Sequence, residues 1–252
     1  MSPNNDPLKQ GADQLLSRIS RLLQQIQDSI AVDDEGWFKD LLCGILKSAI
    51  EDHRHMETGI RESVYLAAWA VRNILELKVI TKYILSNQEN AVDFRNDVLV
   101  DSKELNEAFT NAHKEGHKKL LSALTEMAEP DAQFKEILQM ESDRGPQTAA
   151  TDSETAVYKQ LMSIYGIKEN AKPKMSSDIA RLIGEQEAFR PLFKICSKVM
   201  HRTALSIAST NAEGGLDEIL PFLFSSAVGD LSEIYGAIDR QVQRNGIHPP
   251  AA

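Results

Sequence analysis

A chain of 252 residues, 42% hydrophobic and 26% charged, can bury a substantial core and is neither globally disordered nor fibrous. Its 37 acidic and 28 basic side chains give a formal charge of −9, which argues against a nucleic-acid surface spread over the whole molecule but leaves room for a local basic patch. Cys43 and Cys196 suit buried free thiols in a reducing compartment, the opening residues lack the apolar core of a signal peptide, and no apolar run is long enough to span a bilayer. A cytoplasmic protein without membrane contact is expected.

In chain order, Ala12, Leu15, Ile19, Leu22 and Ile26 recur at spacings of three and four, the signature of an amphipathic N-terminal helix within 1–31. Its seam is expected to pack on the chain's own domain, with a homodimer through helical surfaces as the alternative. Asp33 or Asp34 can cap a second helix, near 37–56, with Phe38, Leu41, Leu42, Ile45, Leu46, Ala49 and Ile50 on its inner face. From about 60 to 86 the pattern is apolar nearly all round, which marks a central helix. Arg72 and Glu76 stand four apart within it, so each can offset the other's charge.

Asp101 and Glu104 read as a capping box for a helix running through Met127, with Phe109, His113, Leu120, Leu124 and Met127 as its inner seam, and Pro130 ends it. The stretch 142–153 has no periodicity and reads as a loop. Thr151 and Glu154 can box a helix that Gly166 stops, and Lys168, Lys172 and Lys174 then form a basic turn. Ser176 or Ser177 with Asp178 starts a short helix ended by Gly184. Another follows over 186–209, with Leu192, Ile195, Cys196, Val199, Met200, Thr203 and Ile207 on one arc and Arg190, Lys194, Ser197, His201 and Ala208 on a second. A last helix spans about 217–243 with Pro221 in its first turn. The whole is an all-α bundle in a single domain over 32–244, built on the helices near 37–56, 60–86, 186–209 and 217–243, with a disordered tail at 245–252.

The chain has no Gly-rich phosphate loop, CxxC pair, nucleophile elbow or dinucleotide fingerprint, so no cofactor is expected. His113 and His117 have the spacing of a metal-binding pair but no third ligand. They fall on the supposed seam, where they read as structural histidines, and no metal is expected. The basic turn at Lys168 to Lys174 leaves RNA only as a weakly supported partner; an unidentified protein is the other.

What remains is Arg72 and Glu76 on one helix with Ser197 and His201 on another. ArgAsnIleLeuGlu at 72–76, Ile179–Ala180, Gly184 and SerLysValMetHis at 197–201 resemble an uncharacterised bacterial helical family built on R-x3-E and S-x3-H, itself similar to the HEPN domains. The resemblance covers roughly Phe38 to Val242. It implies a HEPN-like bundle with additional packed helices, in a group that includes ribonuclease toxins, antiviral effectors and non-catalytic interaction modules. Catalytic members are associated with an Arg, four to six residues and then a His on one helix, whereas here Arg190 precedes His201 by eleven positions and Arg244 precedes His248 by four. The resemblance therefore implies an interaction or regulatory component in stress or phage defence. Its alternative is a metal-independent ribonuclease or toxin in which His201 handles protons and Arg72 stabilises phosphate charge, so whether the chain is an enzyme stays open. In either case Ser197 or His201 is expected near Arg72 or Glu76, and loss of Glu76 from a buried pair would cost about 3 to 5 kcal/mol.

Overall fold

In a computed structural model the described residues are 7–29, 36–126, 136, 139–140, 142–146, 148–201 and 216–248. Among them the fold is all-α. Eight helices follow in order: α1 Pro7–Asp28, α2 Gly36–Glu62, α3 Val64–Ile84, α4 Gln88–Glu126, α5 Ala149–Ile164, α6 Ser176–Leu182, α7 Gln186–Met200 and α8 Leu220–Asn245. No strand occurs among these residues, and no helix among them is long and apolar enough to cross a membrane. The sequence suggested one domain over 32–244, but the contacts divide into two compact units, 1–92 with 175–252, and 93–174.

In the first unit α3 is central and packs against α2, α6, α7 and α8. It can do so because Ala67, Ala68 and Ala70 keep its surface thin while Val71, Ile74, Leu75, Val79 and Ile84 supply buried apolar area on several sides. Helix α1 lies against α2 and α8, burying the three-four repeat from Ala12 to Ile26. Lys39 of α2 donates its ammonium protons to the Gln27 and Ser29 carbonyls, closing the C-terminal end of α1. Arg18 stacks 4.6 Å from the Tyr235 ring centre, tying α1 to α8.

The corner between α2 and α3 falls at Ser63, later than the apolar pattern placed it. Ser63 adopts extended backbone, which ends α2, and its Oγ accepts the Leu66 N–H, which caps α3. The corner is tight: a Cβ on Gly59 would lie 2.2 Å from the Ala67 nitrogen. At Gly184, with φ 74°, the Glu185 N–H returns to the Ala180 carbonyl and ends α6 as the glycine predicts. Gly166, with φ 69°, ends α5 in the same way.

Several boundaries differ from the sequence reading. Helix α4 begins at Gln88, where Asn87 Oδ1 accepts the Asn90 N–H, and Asp101 sits within the helix with no cap to form. Residues 149–153 of the expected loop are the first turn of α5, and Glu154 bonds Asn106. The start of the expected tail folds back on α8, with Ile247 buried and Gln241 donating to the His248 carbonyl. Asp33, Asp34, Met127, Pro130, residues 202–209 and the tail beyond 248 lie outside the described residues.

In the second unit α4 presents a polar face inward. Lys103, Asn106 and Thr110 are buried. They bond the Glu169 carbonyl at 2.7 Å, Glu154 at 3.1 Å and Thr151 at 2.7 Å. The seam predicted through Phe109, His113 and Leu120 is consequently turned outward: Phe109 is 50% and Leu120 45% exposed. Apolar periodicity gives the angle between side chains on a helix but not which side meets the rest of the chain, and here directional bonds from the polar side decide it.

Two measurements test these packing claims. Gly59→Ala should lower stability by about 1 to 3 kcal/mol in chemical denaturation, because the clash with backbone outweighs the better helix propensity of alanine. His53, 1% exposed, has no hydrogen-bond partner at either ring nitrogen among the described residues. Burial pushes its pKa below the ordinary 6.5, against the opposing pull of Glu57 and Asp13. The unfolded chain therefore protonates first, so stability is intact above about 6.5 and falls as pH drops below it. Urea midpoints measured from pH 8 to pH 5 should show this loss, and His53→Leu should reduce it.

Candidate functional site

The Arg72–Glu76 pair lies on the face of α3 that meets α6 and α7. Arg72 Nε donates to Glu76 Oε1 at 2.8 Å. The other carboxylate oxygen accepts from Ser176 Oγ at 3.1 Å, so the serine expected to cap α6 spends its hydroxyl on α3. The guanidinium also stacks on Phe193 of α7, 4.4 Å from the ring centre. Beside it the Cys196 thiol is pushed up to about 12, chiefly by burial and against the pull of the Arg72 charge, which leaves it protonated and unreactive at neutral pH.

The pair is less buried than the apolar stripe around it suggested. Its side chains are 26% and 27% exposed, so the bond is worth about 1 kcal/mol rather than the 3 to 5 expected of a buried pair. Ser176, Phe193 and Cys196 all interact with it. Ser197 is half-buried on α7, and its carbonyl accepts the His201 N–H at 3.1 Å. His201 is the C-cap of α7, in extended backbone with φ −81° and ψ 142°, and is exposed. The helix expected to carry it onward therefore stops at Met200, and its remaining residues lie outside those described.

The buried charges of this unit are others. Lys78 of α3 donates to Asp230 Oδ1 of α8 at 2.6 Å, with the two side chains 8% and 9% exposed. Burial raises the Asp230 pKa, opposed by the bond to Lys78, and Asp230 Oδ2 has no partner among the described residues. One turn along α3, Lys82 bonds Glu185 at 2.8 Å and Glu233 at 2.6 Å. Its desolvation is outweighed by these two carboxylates, and its pKa lies above the ordinary value. On the opposite side Asn73 donates to Asp52 of α2 at 3.2 Å, and His55 meets the Trp69 ring edge-on at 5.3 Å. Burial raises the Asp52 pKa against the pull of that bond. Every helix packed on α3 is thus joined to it by at least one directional contact.

Sequence reasoning missed Lys78 and Asp230, although each had a signal. Lys78 is flanked by Leu75, Leu77, Val79 and Ile80 in the central helix, and Asp230 stands between Val228 and Leu231 on the inner pattern of the last one. A lone charge in each of two apolar patterns marks a pair only once the helices are known to meet.

In the second unit His113 is exposed and His117 half-buried, at an open cavity rather than on a packing seam. Among the described residues no group of three or more His, Cys, Asp or Glu could hold a metal. The basic turn is partly engaged: Lys174 pairs with Asp93, and its backbone N–H bonds Asp97 at 3.2 Å. Compared with known proteins, the chain matches no family model, no curated protein and no solved structure.

Removing one member of the buried pair separates it from the exposed one. Asp230→Ala strands Lys78 and should cost about 3 to 5 kcal/mol, whereas Lys78→Met with Asp230→Leu should be neutral or up to about 4 kcal/mol more stable. Glu76→Ala should cost about 1 kcal/mol. Denaturant midpoints of the three proteins give the order, and a cost for Glu76→Ala equal to that of Asp230→Ala would contradict it.

Proposed function

We propose that the chain is a HEPN-like helical interaction protein, a regulatory component of bacterial stress or phage defence, that acts by presenting a helix face to a protein partner. One observation carries this reading: α4 buries Lys103, Asn106 and Thr110 and exposes Val98, Leu105, Phe109 and Leu120, the four of them 45 to 57% accessible. At 100° per residue these four fall within about 60° of one another, on a line about 33 Å long. Large apolar side chains exposed on one face of a helix that buries polar groups on another are the arrangement of a surface that a partner covers.

The polar cluster on α3 supports the same reading. A phosphate-binding arginine needs its guanidinium turned to substrate, and that of Arg72 is held by Glu76 and the face of Phe193.

Leu105→Glu with Phe109→Glu tests the proposal. Both positions are at least half exposed, so the melting curve should shift little. Association measured by light scattering across concentrations, or the set of proteins that co-purify, should change. Identical association and co-purification for both proteins would overturn the reading. Cleavage of RNA in the presence of a chelator, lost in both Arg72→Ala and His201→Ala while the fold is kept, would put the ribonuclease in its place.

A further inference from the structure

The first turns of α1 and α8 and the end of α2 border a cavity of about 340 Å³. That volume is within the range of small-molecule sites. Its apolar wall is Leu8 from α1, Ile60 from α2, and Leu220, Pro221 and Phe224 from α8. Leu8 continues by one step the seam that is buried from Ala12 to Ile26, yet it is 39% exposed, because there the seam runs out into the cavity.

Charge is gathered at the same place. Lys9 and Arg61 line the cavity, are exposed, and have no ion-pair or hydrogen-bond partner among the described residues. Arg61 follows Glu57, also in the wall, at the spacing of a helical ion pair, but the two do not pair. Both α1 and α8 begin here, so the positive ends of two helix dipoles lie at the cavity, against the negative end of α2. Two cations and two positive helix ends outweigh one carboxylate and one negative end, which leaves an electropositive site beside an apolar wall.

We infer that this cavity binds a small amphipathic carboxylate, an aliphatic acid whose chain lies against Leu8, Ile60 and Phe224 and whose carboxylate is met by Arg61 and Lys9. A guanidinium forks onto a carboxylate with two parallel N–H···O bonds, and an ammonium adds a compact positive charge. Each methylene of the chain taken out of water adds to binding. Glu57 opposes the anion. A cationic amphiphile would gain that one carboxylate but would meet the charges of Lys9 and Arg61. The inference does not rest on the interaction reading, because this cavity belongs to the first unit and the exposed apolar side chains of α4 to the second.

Titration of the full chain with heptanoate, 1-heptanol, heptylamine and acetate, read by calorimetry and NMR, tests the inference. Heptanoate should bind, with 1-heptanol and acetate at least about tenfold weaker, since one lacks the charge and the other the chain. In the wild-type protein the methyl signals of Leu8 and Ile60 and the ring signals of Phe224 should shift with heptanoate. The Lys9→Gln, Arg61→Gln double variant changes two exposed positions and should keep the fold. It should bind heptanoate about tenfold more weakly, the combined scale of two exposed charge contacts, and 1-heptanol as the wild type does. Glu57→Gln should act with the opposite sign and tighten heptanoate. Absence of heat and of shifts up to about 5 mM heptanoate would overturn the inference. So would equal binding of heptanoate and 1-heptanol, heptanoate binding that neither variant alters, or heptylamine binding that Glu57→Gln abolishes while heptanoate is silent.

Discussion

The ion pair between Lys78 and Asp230 constrains the first unit more than any other contact. Burying two charges is favourable only when they meet in good geometry, and these meet at 2.6 Å between two helices 152 residues apart in the chain. A slide of α8 along α3 by one residue would strand both charges in an apolar interior. The surrounding leucines, isoleucines and valines supply most of the buried area, but apolar contact is non-directional and tolerates such a slide far better. The same division of labour recurs around α3. Asn73 fixes α2, Ser176 and Phe193 bring α6 and α7 to the Arg72–Glu76 pair, and Lys82 holds Glu185 and Glu233 together.

Seen in this way, the Arg72–Glu76 pair belongs to a set of fasteners. Its two carboxylate oxygens and its guanidinium all have partners within the chain, and the nearby thiol of Cys196 is held protonated by burial. Chemistry on a substrate would require these groups to exchange partners. A structural role requires only that they remain as they are.

The second unit reverses the usual arrangement. Where α3 hides its apolar sides, α4 hides a lysine, an asparagine and a threonine against α5 and the residues after it, and leaves leucine, phenylalanine and valine outside. Satisfied polar groups can be buried at little net cost, whereas an uncovered apolar line is unfavourable in water and becomes favourable when something covers it. The exposed apolar side chains Val98, Leu105, Phe109 and Leu120 all lie on this one helix.

What the sequence determined by itself was local. The all-α class, the stops at Gly166 and Gly184, the buried face of α1 and the centrality of α3 follow from side-chain period and backbone preference, which act within a few residues. The i,i+4 pairing of Arg72 with Glu76 was legible for the same reason. Tertiary structure decided the rest. That Glu76 meets Ser176, that Arg72 rests on Phe193, and that Lys78 finds Asp230 depend on which helices touch and at what register, and no spacing along the chain encodes that. The inversion of α4 shows the limit most clearly. The period located both of its faces, but only the partners of Lys103, Asn106 and Thr110, lying 41 to 66 residues away, determined which face would be inside.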